Sequence, residues 1–120
     1  MASFRVLILE DDAILALDLA TIVTCWTDAS VTSCRSVAQA KKALAASFDL
    51  ALLDVDVLDG KSYELAQTLK EQRMPFAFVS GSGPDERPED LKDVAFISKP
   101  YRQREIEQVV ASAERERRRA

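Results

Sequence analysis

Residues 51–60 read ALLDVDVLDG, an apolar run that stops at Asp54 and then alternates carboxylates with apolar side chains. Residues 50–55 are apolar apart from Asp54, which is typical of a short strand covered on both faces of a parallel sheet. Asp59 and Gly60 then supply a turn. The stretch therefore predicts a buried strand that delivers a carboxylate to its carboxyl end.

Strand-like and helix-like segments alternate on both sides of this stretch. Runs of strand length lie at 4–9, 30–34, 50–55, 76–80 and 94–98, and all but the second are mostly apolar. Between the first two runs, apolar residues recur at helical spacing: Leu15, Leu19, Ile22, Val23 and Trp26. The alternation predicts an α/β, flavodoxin-like fold, a doubly wound five-stranded parallel sheet of order 2-1-3-4-5 with helices on both faces. The second run is the most polar, which suits an edge strand.

Helix starts are marked by candidate N-caps before three of the helical segments, at Asp12, Ser36 and Ser62. The segment between the fourth and fifth strands is different, because GSGPDERPEDLKDVA contains two glycines and two prolines. Prolines and glycines at this density do not sustain a regular helix, although Pro88 could start a short one. We therefore expect helix four to be short or irregular.

Length and composition narrow the class of protein. A chain of 120 residues that is 48% hydrophobic is expected to fold as one domain over residues 1–120, with no output domain. No apolar stretch is long enough to span a bilayer, so we expect a cytoplasmic protein with no membrane contact. The chain contains no histidine, which leaves carboxylates, hydroxyls and lysines for any chemistry. The arginines near its end suit the end of a helix dipole, and we expect no nucleic-acid binding.

Polar residues lie at the carboxyl ends of four of the predicted strands: Glu10, Asp11 and Asp12 after the first, Asp54 near the end of the third, Ser80 at the end of the fourth and Lys99 after the fifth. Parallel strands place these residues at one edge of the sheet, where such folds bind ligands. Carboxylates that converge there repel each other by about 4 kcal/mol per pair at 4 Å, so a cation is needed. An all-oxygen ligand set suits Mg²⁺, with Mn²⁺ possible.

Asp54 has the chemistry of a phosphoryl acceptor, because an ionised carboxylate is a nucleophile toward phosphorus. The Ser80 hydroxyl and the Lys99 ammonium can bind the oxygens of a transferred phosphoryl group. In combination, the acid cluster, Asp54, Ser80 and Lys99-Pro100 resemble the receiver domains of bacterial response regulators over essentially the whole chain. The resemblance implies a protein that is phosphorylated at Asp54 and is not a turnover enzyme.

The resemblance also implies specific roles and partners. Asp11 would bind Mg²⁺ directly with help from Glu10, while Asp54 would add a carboxylate and Asp56 its backbone carbonyl. Ser80 and Phe96 would move together to report phosphorylation. The phosphoryl group would come from a sensor histidine kinase or histidine phosphotransfer protein in a two-component system or phosphorelay. Output would pass to a separate protein, from a monomer or weak homodimer.

Three short motifs, LDGKSY, PFAFVSGSG and SKPY, are similar to those of stand-alone receivers in which the fourth strand ends in Phe-Ala-Thr-Gly. This sequence has Ser80 in place of that threonine and Ser82 where an aromatic residue is common. Leu58 stands where many receivers have proline, which would make the turn after Asp54 less rigid.

Two other functions fit parts of the sequence. A degenerate receiver could bind partners without being phosphorylated. LLDVDVLD also resembles the signature of haloacid-dehalogenase-type phosphatases, in which an aspartate nucleophile precedes a second acid by two residues. In those enzymes the nucleophile lies near the N-terminus and the acidic pair comes last, whereas here the acidic pair comes first.

Overall fold

The computed structural model describes residues 3–119. Five parallel strands form one sheet: β1 (Phe4–Leu9), β2 (Ala29–Cys34), β3 (Leu50–Leu53), β4 (Phe76–Ser80) and β5 (Phe96–Ser98). Their order is β2-β1-β3-β4-β5. Four α-helices flank the sheet: α1 (Ala13–Trp26), α2 (Val37–Ala43), α3 (Tyr63–Glu71) and α4 (Gln103–Arg119). The predicted flavodoxin-like topology is confirmed, with β2 at an edge.

Side chains that alternate along the strands build a core on each face of the sheet. Val6 and Ile8 of β1 point to the face covered by α1 and α4, where Ile106 and Val110 are fully buried. Leu7 and Leu9 point to the opposite face, covered by α2 and α3. Since both faces are covered, the central strands are apolar apart from Arg5 and Ser80, as the sequence predicted.

Strand register sets the positions of the residues that follow the strands. Leu9 is paired with both Cys34 and Leu53. The backbone hydrogen bonds continue one residue further, from Asp54 N–H to the Leu9 carbonyl (2.9 Å) and from Lys99 N–H to the Ser80 carbonyl (3.0 Å). The hydrogen-bond ladder of the sheet therefore also positions Asp54 and Lys99, the first residues past β3 and β5.

Helix starts follow the predicted caps with one difference. The Asp12 carboxylate accepts from the N–H groups of Ile14 and Leu15, and the Ser36 hydroxyl accepts from Gln39. Ser62 occupies the cap position of α3 but makes no capping bond. Its hydroxyl instead donates to the Asp54 carbonyl (2.7 Å), because the chain turns back under β3 at this point. Two-residue strands, Asp56–Val57 and Gly60–Lys61, form the hairpin that makes this turn.

The segment between β4 and β5 contains two 3₁₀ turns, Pro84–Glu86 and Glu89–Leu91. This confirms the expectation that helix four is short and irregular, and that Pro88 starts a turn. Leu91 is fully buried in the core on the α2 and α3 side of the sheet. Leu91, together with the partly buried Val94, anchors this segment in that core.

The structure differs from the sequence pattern in two details. Trp26 continues the helical spacing of apolar residues in α1, but its side chain is 47% exposed. It lies at the end of the helix beside Arg104, Glu107 and Gln108 of α4, where the neighbouring residues are polar. The third strand ends at Leu53 and the fifth begins at Phe96, each two residues shorter than predicted. No helix within residues 3–119 is both long and apolar enough to cross a membrane.

Candidate functional site

Three carboxylates meet at the carboxyl edge of the sheet. Glu10 and Asp11 follow β1, Asp54 follows β3, and one oxygen from each lies within 4.8 Å of the others. Glu10 is 1% exposed and Asp54 8% exposed, whereas Asp11 is half-buried. The predicted acidic cluster therefore exists, and two of its three members are removed from water.

Lys99 extends from the end of β5 into this cluster. Its ammonium donates to Asp54 Oδ2 (3.1 Å) and to Glu10 Oε1. Burial alone would lower the pKa of Lys99, but the hydrogen bonds that its ammonium donates to these two carboxylates outweigh burial, so the pKa is raised. The lysine therefore stays charged and partly neutralises the two buried acids.

Glu10 is the most deeply buried member of the cluster. Burial raises the pKa of its carboxyl group, and the nearby charge of Asp54 adds to the effect. The Lys99 hydrogen bond and the Asp12 N–H, which donates to Glu10 Oε2 (3.0 Å), oppose the rise. Glu10 thus lies in an environment that favours additional positive charge.

Asp54 is held in place by its own loop. Its Oδ1 accepts from the Val55 N–H (2.8 Å), while its carbonyl accepts from the Ser62 hydroxyl. With Lys99 on Oδ2, each carboxylate oxygen has one hydrogen-bond donor. The carboxylate is therefore fixed in direction at the site edge before any ligand arrives.

Asp56 lies next to the cluster but directs its side chain elsewhere. Its carboxylate pairs with Lys61 (2.5 Å) and accepts from the Ser82 hydroxyl (2.5 Å). The hydrogen bond from Lys61, followed by that from Ser82, lowers the pKa of Asp56. These contacts involve only the side chain, and the role of the Asp56 backbone carbonyl as a Mg²⁺ ligand stays a prediction. Neither Lys61 nor the Ser82 hydroxyl was identified as a site contact from the sequence.

Ser80 and Phe96 lie on neighbouring strands. The Ser80 side chain is buried, and its oxygen accepts from the Ser82 N–H (3.2 Å). Phe96 is half-buried, with its ring 5.9 Å from that of Phe78. The Ser80 carbonyl accepts from the Lys99 N–H, and Phe96 is paired with Phe78, two positions before the Ser80–Ser98 pair.

Two nearby acids, Asp12 and Asp59, are helix caps, which was predicted for Asp12, whereas a turn was predicted at Asp59. Asp59 caps a distant helix, because its two oxygens accept from the N–H groups of Val37 (2.7 Å) and Ala38 (3.1 Å) at the start of α2. These bonds lower the pKa of Asp59. The loop after Asp54 is therefore attached to the start of α2.

The chemistry of the donor set fits a hard divalent cation. All three carboxylates are oxygen ligands, and in residues 3–119 they form the group of acidic side chains close enough to share one ion. Oxygen-only sets with room for water suit Mg²⁺ or Mn²⁺ rather than the softer metals that select histidine or cysteine. Glu10, Asp11 and Asp54 are the residues that could hold such an ion.

Comparisons with known proteins agree with this geometry. No protein-family model and no curated protein matches the sequence. Among solved structures, the response regulatory domain of mrkE from Klebsiella pneumoniae is similar at 18% identity and a TM-score of 0.85, covering 98% of this chain and 100% of that one. SdrG from Sphingomonas melonis Fr1 is 26% identical, with a TM-score of 0.78 and coverages of 95% and 99%.

A third similar structure is the non-phosphorylated HemR receiver domain from Leptospira biflexa, which is 26% identical with a TM-score of 0.75. The match covers 90% of this chain and 94% of the HemR domain. The structural neighbours are response-regulator receiver domains, and the likeness extends over nearly the whole chain. The fold expected from the motif resemblance is confirmed.

Proposed function

We propose that this chain, which has the receiver-domain fold, is a phosphoacceptor of a two-component system or phosphorelay, with Asp54 as the accepting residue. The observation that supports the proposal best is the set of contacts around that carboxylate. Asp54 lies at the sheet edge with Lys99 on one oxygen and Glu10 and Asp11 within reach of a shared cation. A lysine and a cation beside one aspartate provide the positive charge that phosphoryl transfer needs.

The reaction would exchange one phosphorus bond for another. The phosphorus–nitrogen bond of a phosphohistidine on a kinase or phosphotransfer protein breaks, and a phosphorus–oxygen bond to an Asp54 oxygen forms. The leaving imidazole keeps the bonding electron pair and takes up a proton from solvent. Lys99 and the Ser80 hydroxyl would bind the phosphoryl oxygens on the side of β4 and β5.

Glu10, Asp11, Asp54 and the Asp56 carbonyl would hold Mg²⁺. When bound, the ion supplies positive charge that compensates the phosphoryl oxygens and the acidic cluster. The protein itself would position the acceptor. The Val55 N–H and the Ser62 hydroxyl donate hydrogen bonds to Asp54, and Lys99 keeps its charge because its pKa is raised.

Phosphorylation would be read out through Ser80 and Phe96. A phosphoryl group adds roughly −1.5 to −2 charge at Asp54 and gives the Ser80 hydroxyl a new acceptor. When that hydroxyl turns toward Asp54, the Phe96 ring would occupy the space it leaves. A shift of this kind changes populations, so a few kcal/mol of preference is enough.

The proposal covers partners and cell compartment as well. A single domain of residues 1–120 in the cytoplasm would receive the phosphoryl group from a histidine kinase or phosphotransfer protein and act on a separate output protein. It would do so as an acceptor that is modified once per cycle, without nucleic-acid or membrane contact. Its oligomeric state is proposed as monomer or weak homodimer.

The test is phosphorylation by a small donor. Wild-type protein is incubated with acetyl phosphate with and without Mg²⁺, and its intact mass is measured. We expect one Mg²⁺-dependent phosphoryl adduct on wild type and none on Asp54→Asn. Asp59→Asn is the matched control, since Asp59 caps α2 away from the cluster and its variant should still take the phosphoryl group.

Two other outcomes would contradict the proposal. A folded wild type that takes no adduct would support a degenerate receiver that binds partners without phosphorylation. Continuous release of phosphate from a generic phosphoester, many equivalents per protein, would support a phosphatase.

A further inference from the structure

Arg87 links the irregular segment before β5 to the aromatic residue in that strand. Its guanidinium donates to the carbonyls of Pro84 (2.9 Å), Leu91 (3.1 Å) and Val94 (2.7 Å). The same group lies over the Phe96 ring, 5.1 Å from its centroid. One half-buried side chain therefore contacts both 3₁₀ turns and the start of β5.

These contacts are among the few that hold the segment in place. Each turn is three residues long, which gives it few backbone hydrogen bonds of its own. Most residues from 81 to 93 are exposed, with Leu91 as the one fully buried side chain there. The forked guanidinium can satisfy several carbonyls at once, which a lysine ammonium cannot do in the same fixed geometry.

The Phe96 ring is held between two partners. Phe78 contacts it from the core, and Arg87 covers it from the segment. A ring that turned inward toward Ser80 would leave the guanidinium, so the contact stabilises the ring position seen here. A cation within about 6 Å of an aromatic ring is attracted to its face.

We propose that Arg87 is a positioning residue that holds Phe96 in its present place and couples the ring to the 84–94 segment. The inference rests on the proposed function in one respect, namely that Phe96 moves when Asp54 is phosphorylated. Phosphorylation would then release Arg87 from the ring and loosen the two turns. In this protein the coupling that a regular fourth helix could provide would run through one arginine.

The coupling has a reciprocal consequence. If Arg87 favours the unphosphorylated arrangement by a given factor, removing Arg87 must tighten the binding of a phosphoryl mimic by that same factor. An exposed or half-buried cation–π contact corresponds to about a two- to fivefold change. In the other direction, the mimic should speed amide exchange at Leu91, Lys92 and Val94, whose N–H groups close the second turn and its exit.

The experiment uses Arg87→Met, Arg87→Lys and a matched control, Lys92→Met. Lys92 is a cation of the same segment that donates to the Asp85 carbonyl. Each variant is titrated with beryllofluoride in the presence of Mg²⁺, and the Phe96 ring resonances of the free protein are recorded by NMR. Each is also made in a Phe96→Leu background, which isolates the contact between the two side chains.

We expect Arg87→Met to shift the Phe96 ring resonances and to bind beryllofluoride about two- to fivefold more tightly, with Lys92→Met unchanged. Arg87→Lys should shift the ring resonances less than Arg87→Met does, because an ammonium can still lie over the ring. In the Phe96→Leu background, Arg87→Met should no longer alter beryllofluoride affinity.

Ring resonances that stay the same in Arg87→Met would overturn the proposal, and so would tighter binding that persists without Phe96. Failure of the wild type to bind beryllofluoride would contradict the proposed function instead. The ring resonances of the free protein would still decide whether Arg87 holds Phe96.

Discussion

Lys99→Met is the substitution that tests the electrostatics of the cluster most directly. The Lys99 ammonium lies 3.1 Å from Asp54 Oδ2 and also bonds Glu10, and its side chain is 18% exposed. At an effective dielectric of 20, the attraction to Asp54 alone is about 5 kcal/mol. Dehydration of the charges offsets part of this, and removing one partner of a buried pair costs roughly 3–5 kcal/mol. We expect a loss near the lower limit, about 3 kcal/mol, because the site edge is open to water.

The loss should depend on pH in a defined direction. The folded state raises the pKa of Glu10, so Glu10 contributes stability at low pH that is lost as the pH rises through the raised value. Without Lys99 that pKa rises further, and the variant's deficit should be larger at pH 8 than at pH 5. Millimolar Mg²⁺ should restore part of the stability at pH 8, since a divalent cation replaces the missing charge.

Urea unfolding at both pH values, with and without Mg²⁺, measures these effects. Lys70→Met is the matched control, because Lys70 pairs with Asp93 at an exposed surface, where ion pairs contribute little. The reasoning would be refuted by equal losses in the two variants, or by a Lys99→Met deficit that does not shrink on going from pH 8 to pH 5.

Three further results are expected. Asp12→Ala should destabilise the protein by about 1 kcal/mol in urea unfolding, whether or not Mg²⁺ is present, since it removes the α1 cap; a variant as stable as wild type would contradict this. Phe78→Ala should cost about 3–5 kcal/mol because Phe78 is fully buried, whereas Ile14→Ala should change little because Ile14 is 78% exposed; similar losses would contradict the assigned core. Absorbance at 295 nm should show no tyrosinate until the pH exceeds the usual tyrosine range, because burial raises the pKa of Tyr63, and burial with the Asp18 hydrogen bond raises that of Tyr101; earlier titration in folded protein would contradict these environments.

The fold and the centre of the site could be predicted because both follow from where strands end. Parallel strands bring their carboxyl ends to one edge, so the positions of Asp54 and Lys99 followed from the apolar runs before them. The density of proline and glycine likewise predicted the irregular segment around Pro88. These are local signals, and the observed elements differ from the predicted ones mainly in shorter strand ends.

The contacts between loops could not be predicted in the same way. The carboxylate of Asp59 caps α2, and the Ser62 hydroxyl bonds the Asp54 carbonyl, although Ser62 alone is a plausible cap for α3. Which hydrogen-bond partner a polar side chain finds depends on distances between loops, and no spacing within one segment encodes those distances. The packing of Trp26 could not be predicted either. The apolar residues of α1 continue to Trp26, but the part of α4 beside it is mostly polar.

The loop contacts also indicate how a change at Asp54 could reach a segment that has no regular helix. The Ser80 hydroxyl accepts from the Ser82 N–H, and the Ser82 hydroxyl in turn donates to Asp56 in the loop after the acceptor. A Ser80 hydroxyl that turns toward a phosphoryl group on Asp54 must give up the Ser82 bond. The segment would then lose its first hydrogen bond at Ser82 and its ring contact at Phe96 in the same event, so a signal would enter it from both ends.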